Sequence, residues 1–190
     1  MGMQTVQTRR FSRQDYERLV AGGFFQPEER LELVDGELIV MTPQRSRHAT
    51  AVRLAEDTLR SIFGAGFDVR VQLPIAFEPD SEPEPDLAVV VGSPRDYRDA
   101  HPQTAVLIVE VADTTLPYDR ERKARLYAQA GIPEYWIVNL QDLCLEIHRY
   151  PAAVGSSHAT YQSRSVAHPS DTVTPLKSPQ GSLIVADLLP

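Results

Sequence analysis

Asp86, Glu110 and Lys123 are the three residues whose types and spacing can do chemistry together. Asp86 opens the apolar run Leu87-Ala88-Val89-Val90-Val91, and Glu110 sits near the end of Val106-Leu107-Ile108-Val109-Glu110-Val111. Both carboxylates stand where a strand would otherwise bury only hydrocarbon, and a buried carboxylate costs several kcal/mol unless it is paired. Two of them on adjacent strands, with a lysine arriving from the next helix, make a divalent-cation site beside an amine. Hard cations such as Mg²⁺ take carboxylate and carbonyl oxygens and keep several waters, so Asp86, Glu110 and the carbonyl of Val111 are the expected ligands, for Mg²⁺ or Mn²⁺. Such a cation polarises a phosphoryl oxygen and acidifies a water. Lys123, its pKa lowered by partial burial or held near the metal, would orient or deprotonate that water and stabilise developing charge. Plainer roles exist for two of the three: Asp86 as a strand-entry cap or ion-pair partner, and Lys123 as a solvated residue paired with Asp119 one turn earlier.

The elements that must position these residues are legible in outline. Both apolar runs are short, Val-rich and bounded by Pro or Gly, as strands buried on both faces are. The spacing predicts a helix from about Asp119 to Ala130, closed by Gly131 and Pro133, with Asp113 to Pro117 as the turn into it. Upstream, Ser12 to Ala21 reads as an amphipathic helix with a Ser12/Asp15 capping box and an apolar stripe of Tyr16, Leu19 and Val20. Leu31 to Val40 is a hairpin around Asp35-Gly36. A longer helix follows Pro43 to His48 and ends near Gly64, burying Val52, Ala55, Leu59, Ile62 and Phe63. Phe67 to Phe77 reads as a strand bent at Pro74, and Glu78 to Pro85 as an acidic loop delivering Asp86. Gly92 to Thr104 is an exposed loop. Glu134 to Asn139 and Leu143 to His148 form a second hairpin. From Pro151 the chain holds one or two short strands and an apolar segment, Leu183 to Leu189. The order predicts an α/β (α+β) domain with a mixed central β-sheet flanked by helices, not a doubly wound parallel sheet. One domain over 1–190 is expected, with its core at about 11–150 and C-terminal strands and a tail at 151–190.

Composition bounds the function. The 190 residues are 42% hydrophobic and 24% charged, ordinary for a soluble globular chain. No apolar run approaches the roughly 20 residues of a membrane span, and Met1 to Thr5 lacks the apolar core of a signal peptide, so the cytoplasm is the expected compartment. The single cysteine, Cys144, excludes an internal disulfide and a cysteine-built metal site. A net charge of −7 does not suggest tight nonspecific nucleic-acid binding, which depends on Lys and Arg neutralising phosphates. Arginines 45, 47, 53, 60 and 70 are interrupted by Glu56, Asp57 and Asp68, and read as a solvated face more than a DNA-facing one.

Taken in order, Glu32-Leu33-Val34-Asp35-Gly36-Glu37, His48, Pro85-Asp86, Glu110-Val111, Asp119, Lys123, Tyr127 and Ala130-Gly131-Ile132-Pro133-Glu134-Tyr135-Trp136 resemble the PD-(D/E)XK nuclease superfamily. The closer resemblance is to its large bacterial branch named for restriction endonucleases. It covers roughly Phe11 to Tyr150. One departure matters: the superfamily's lysine lies two residues after the second acid, where this chain has Ala112. In the branch resembled, that lysine is relocated to the following helix, and Lys123 fits. The resemblance implies a restriction-endonuclease-like fold, metal-dependent hydrolysis of DNA, and a lean towards homodimers. For the dimer contact, the Trp136 hairpin and the apolar C-terminal segment are the candidates. It also makes Glu32 a third acid, although alternation with Leu31 and Leu33 would equally suit a solvent-facing strand residue. His48 becomes a phosphate contact or proton carrier, although a surface histidine at a helix start is unremarkable. Tyr127, one turn after Lys123, would brace the amine or simply pack in the core. Two other readings stay open: a nuclease-like module without activity, and a metal-dependent hydrolase of a smaller phosphoester.

Overall fold

The computed structural model describes residues 8–26, 28–178 and 181–190. The signal-peptide reading of Met1 to Thr5 falls outside them. Helix α1 (Arg13–Ala21) starts at the Ser12/Asp15 capping box, with both reciprocal hydrogen bonds present. Only Tyr16 of its expected stripe is buried; Val20 is 53% exposed. Strands β1 (Leu31–Val34) and β2 (Glu37–Val40) form a separate two-stranded hairpin. Asp35 (φ 50°) and Gly36 (φ 74°) are both left-handed at its turn, the twist a two-residue hairpin needs. A Cβ on Gly36 would lie 2.7 Å from Cβ of Arg10, so glycine is also required sterically.

Helix α2 (Ser46–Phe63) follows, then strands β3 (Phe67–Val71), β4 (Leu87–Val91), β5 (Leu107–Ala112), β6 (Glu134–Asn139), β7 (Cys144–Ala152) and β8 (Thr160–Ala167). These six make one sheet in the order β3-β4-β5-β6-β7-β8. Every pairing is antiparallel except β5 with β6, which is parallel. Between β5 and β6 the chain crosses over in a helical run, 116–129: α-helical at Leu116–Tyr118, π-helical at Asp119–Lys123 and α-helical again at Ala124–Gln129. This Lys123 helix therefore begins before Asp119. Pro117 lies in its first turn, where a missing N–H costs nothing. Strands β9 (Thr172–Val173) and β10 (Leu183–Ile184) pair apart from the main sheet.

Strand parity divides the core. Leu87, Val89, Leu107 and Val109 face α2, which lays Ala51, Val52, Ala55, Leu59 and Phe63 on that side; Leu183, Val185 and Leu188 join the same cluster. Ala88, Val90, Ile108 and Ala112 face the other way, onto Leu116, Ala124, Leu126 and Tyr127 of the Lys123 helix. Each fully buried aliphatic side chain here contributes roughly 1.5–3 kcal/mol.

Three expectations need correcting. The strand drawn to Phe77 ends at Val71, because Gln72 turns left-handed (φ 50°) to leave the sheet. The strand drawn to His148 runs on to Ala152 through Pro151, which stays in register opposite Tyr161 of β8. Of the two candidate dimer surfaces, Trp136, Leu183, Val185 and Leu188 are buried in the chain's own core, while Leu143 of the hairpin and Ile184 of the C-terminal segment are exposed. Of the arginines, Arg53 and Arg60 pair with Glu56 at 2.8 and 3.0 Å. Arg70 is not solvated: it is buried, with its guanidinium 5.6 Å from the Tyr97 ring centroid. No helix among the described residues is long and apolar enough to cross a membrane.

Candidate active site

Extending the β4–β5 register by one step past Leu87↔Val109 sets Asp86 across from Glu110. Asp86 shares parity with Ala88 and Val90, and Glu110 with Ile108 and Ala112, so both carboxylates leave the sheet on the face covered by the Lys123 helix. Backbone bonds lock the pair. The Asp86 N–H donates to Glu110 Oε2 at 3.1 Å, and the Val111 N–H donates to Asp86 Oδ2 at 2.9 Å. Gln72 Nε2 donates to Asp86 Oδ1 at 3.2 Å, and His48 Nε2 lies 3.1 Å from Asp86 Oδ2. His48 reaches this point from the first turn of α2.

Glu32 arrives from the β1–β2 hairpin. The exchange between Leu33 and Glu82, N–H to carbonyl at 3.3 and 2.7 Å, pins β1 against the acidic loop. The face expected to meet solvent is instead packed on the Lys123 helix: Glu32 is 3% exposed, and Val34 is fully buried among that helix's residues. Glu32 Oε2 accepts from Lys123 Nζ at 2.6 Å and from the Glu84 N–H at 3.1 Å. Lys123 Nζ also lies 3.3 Å from Glu110 Oε1, and Tyr127 Oη donates to that same oxygen at 2.6 Å. Lys123 is thus not paired with Asp119, which accepts from Thr115 Oγ1 at 2.6 Å. Glu32, His48, Asp86, Glu110, Val111 and Lys123 all line one cavity of about 250 Å³.

The electrostatics are those of crowded acids around one amine. Burial pushes the Glu110 carboxyl up to about 8, against the pull of Lys123 and with a further push from Asp86. Burial likewise takes Asp119 up to about 6, opposed by Thr115 and Lys123. For Lys123 burial acts downward, but Glu110 and Glu32 outweigh it and the ammonium is held above its ordinary range. A neutral Glu110 exerts no such field, so the 2.6 Å contact with Glu32 is what keeps Lys123 charged. This corrects the expectation of a lysine with a lowered pKa: a buried ammonium becomes acidic only where no carboxylate compensates it. For His48 burial again acts downward, and the hydrogen bond and charge of Asp86 reverse it, so the net shift is upward.

Among the described residues, no group of three or more His, Cys, Asp or Glu side chains is arranged to hold a metal ion. A hard cation that keeps its waters needs only one or two carboxylates. Asp86 Oδ1 and Glu110 Oε2 accept one hydrogen bond apiece, which leaves each a free lone pair. A positive ion beside Glu110 would offset the burial, and the lesser push of Asp86 and Asp119, that raise its carboxyl. The donor set fits such an ion.

The Uma2 family model, described as "Putative restriction endonuclease", matches residues 13–184. The chain belongs to the Uma2 family. No curated protein matches it. Among solved structures, a "putative nuclease belonging to DUF820" from Anabaena variabilis aligns with a TM-score of 0.67 at 14% identity, covering 94% of this chain and 97% of that one. At that identity the match speaks to the fold, which is the mixed-sheet, nuclease-like architecture described above.

Within this Uma2 chain, two roles escaped the reading of the sequence. Tyr127 is fully buried with its ring 5.9 Å from Lys123 Nζ, yet its hydroxyl binds Glu110 and not the amine. Gln72 carried no signal at all; it serves the site because the chain turns left-handed there and returns its side chain to Asp86. At Val111 the group engaged with the site is the N–H, donated to Asp86.

Proposed function

We propose that this chain is a metal-dependent endonuclease that hydrolyses phosphodiester bonds in DNA. The observation that carries the reading is the meeting of Asp86, Glu110 and Lys123, from two strands and the crossover helix, in one cavity. Asp86, Glu110 and the Val111 carbonyl would hold Mg²⁺ or Mn²⁺. When bound, that ion supplies positive charge to polarise a phosphoryl oxygen and acidify a water. Lys123, kept protonated by Glu32, stabilises the negative charge that builds on the phosphoryl group and takes no proton itself. Glu32 serves as the lysine's counter-ion and as a third acid of the site. His48 orients Asp86 through its 3.1 Å contact. With one such site per chain, duplex cleavage takes either a second copy or two successive nicks.

The test is supercoiled plasmid incubated with Mg²⁺ or Mn²⁺. Nicking by the wild type, abolished in Asp86→Ala and Glu110→Ala variants that remain folded, is the expected result. Equal nicking by all three would assign the activity to a contaminant.

The net charge of −7 and the depth of the acids, with Glu110 only 6% exposed, favour a second reading. In it, the same residues hydrolyse a small phosphodiester. Turnover of bis(p-nitrophenyl) phosphate without cleavage of any plasmid or oligonucleotide would select it.

A further inference from the structure

Tyr118 is the residue just before the π-helical turn Asp119–Lys123, and it lines the same cavity as Asp86, Glu110 and Lys123. Its Oη is buried and has no hydrogen-bond partner among the described residues. Other tyrosine hydroxyls of the core are engaged: Tyr127 with Glu110, Tyr135 with the Asp119 carbonyl, Tyr161 with the Ile132 carbonyl and Tyr16 with the Leu31 carbonyl. A buried hydroxyl without a partner lowers stability, and such groups are rare enough in folded proteins to call for an explanation.

The surroundings say what that partner would be. Glu32, Glu84, Asp86 and Asp119 around the cavity present acceptors, not donors, when ionised. Of the basic groups there, Lys123 is held by Glu32 and Glu110, Arg30 by Glu84 at 3.2 Å, and His48 by Asp86 through Nε2 at 3.1 Å. An anionic oxygen entering the cavity needs a donor that no carboxylate has already taken, and the neutral phenol of Tyr118 is one. Burial first, then the charge of Glu32, moves that phenol up to about 12, so it keeps its proton across the neutral range.

We propose that Tyr118 is a substrate-binding residue whose hydroxyl donates a hydrogen bond to a non-bridging oxygen of the phosphodiester held in this cavity. The inference rests on reading the cavity as a phosphodiester site.

Tyr118→Phe removes only the oxygen. Because that oxygen has no partner among the described residues, the urea midpoint should be unchanged or slightly raised, and Mn²⁺ affinity should stay within about twofold. Cleavage of a fluorescein-labelled oligonucleotide should fall about 10- to 100-fold in kcat/KM, as expected for losing one hydrogen bond to a charged acceptor. Oligonucleotide affinity, read by anisotropy with Ca²⁺, should fall as well. Substrates with sulfur at either non-bridging position, assayed in Mn²⁺, add a readout that no structural role would move: one isomer should be penalised in the wild type and lose that extra penalty in Tyr118→Phe. Equal cleavage and binding by wild type and variant would overturn the proposal and leave the nuclease reading intact. A variant that is destabilised or fails to fold would also overturn it, since the hydroxyl would then have a partner inside the protein. A wild type that neither cleaves nor binds any oligonucleotide would remove both readings. If wild type binds without cleaving, weaker binding by the variant supports the proposal and equal binding overturns it.

Discussion

Lys123 Nζ lies 2.6 Å from Glu32 Oε2, a bond between residues 91 apart in the chain. It joins the crossover helix to the β1–β2 hairpin across the cavity, and it is the contact that fixes the charge of the lysine. With Lys123 and Glu32 only 4% and 3% exposed, solvent screens this pair little. An ammonium in that position is an electrostatic device, and its removal leaves the buried Glu32 carboxylate without its counter-ion.

Lys123→Ala should therefore destabilise the fold by about 3–5 kcal/mol, the usual cost of leaving a buried charge without its partner. Lys123→Arg should also lose stability, because the larger planar guanidinium must fit a closed space. The double variant Lys123→Met with Glu32→Gln should recover much of the loss. Urea denaturation of the three proteins measures this. A cost near 0.5 kcal/mol for alanine, as for an exposed helix pair, would show that the lysine is solvated.

Metal affinity should report on the two acids. Calorimetric titration with Mn²⁺ should show binding that weakens at least about tenfold in Asp86→Ala and in Glu110→Ala, with circular dichroism confirming that both variants fold. Unchanged affinity in both would remove these residues from the ligand set.

How far the sequence could be read depended on how local the determining interaction was. The hairpin at Asp35-Gly36 and the buried stripe of α2 follow from turn chemistry and periodicity, both short-range. The opposition of Asp86 and Glu110 was also accessible, because each carboxylate interrupts an apolar strand and strand parity sets its face. The true partner of Lys123 was not. Glu32 lies on a different element, and nothing in the spacing says that the hairpin folds over the crossover helix. Strand β8 was hard to see for another reason: Thr160-Tyr161-Gln162-Ser163-Arg164-Ser165-Val166-Ala167 is mostly polar, and its membership of the sheet comes from pairing with β7 along seven registered residue pairs. Tyr127 looked like core packing and is that too; only the 2.6 Å bond to Glu110 reveals its second task.

Tyr127→Phe should separate those two tasks. The ring stays, so packing against Phe77 and Tyr135 is kept, while Glu110 loses a buried donor. The expected stability cost is about 1–3 kcal/mol. Mn²⁺ affinity should fall about 10-fold or more, as when a group orienting a metal ligand is removed. If both quantities match the wild type, the hydroxyl does not position Glu110.

The last prediction concerns acid stability and lies away from the cavity. His148 on β7 is 3% exposed, packs at 5.4 Å from the Tyr135 ring centroid and 5.8 Å from that of Tyr161, and has a buried Nδ1 without a partner among the described residues. Burial lowers its pKa from 6.5 to about 4; Arg164 and Arg120 add to this, and Glu146 opposes it. The folded state thus holds the neutral ring, while the unfolded chain takes up a proton as pH falls below about 6.5. The corresponding stability is fully present above pH 6.5 and is lost as pH drops towards 4, by about 3 kcal/mol at roughly 1.4 kcal/mol per pKa unit. Glu110 and Asp119, whose pKa values are raised, contribute with the opposite sign over part of that range, so the readout must be a difference. His148→Phe keeps an aromatic ring and removes both the titration and the unpaired nitrogen. Unfolding free energies from urea titrations at pH 7, 5.5 and 4.5 should show the variant gaining on the wild type at each step down. Parallel profiles for the two proteins would mean that His148 is protonated equally in the folded and unfolded states, and that its burial between two tyrosines costs nothing in acid.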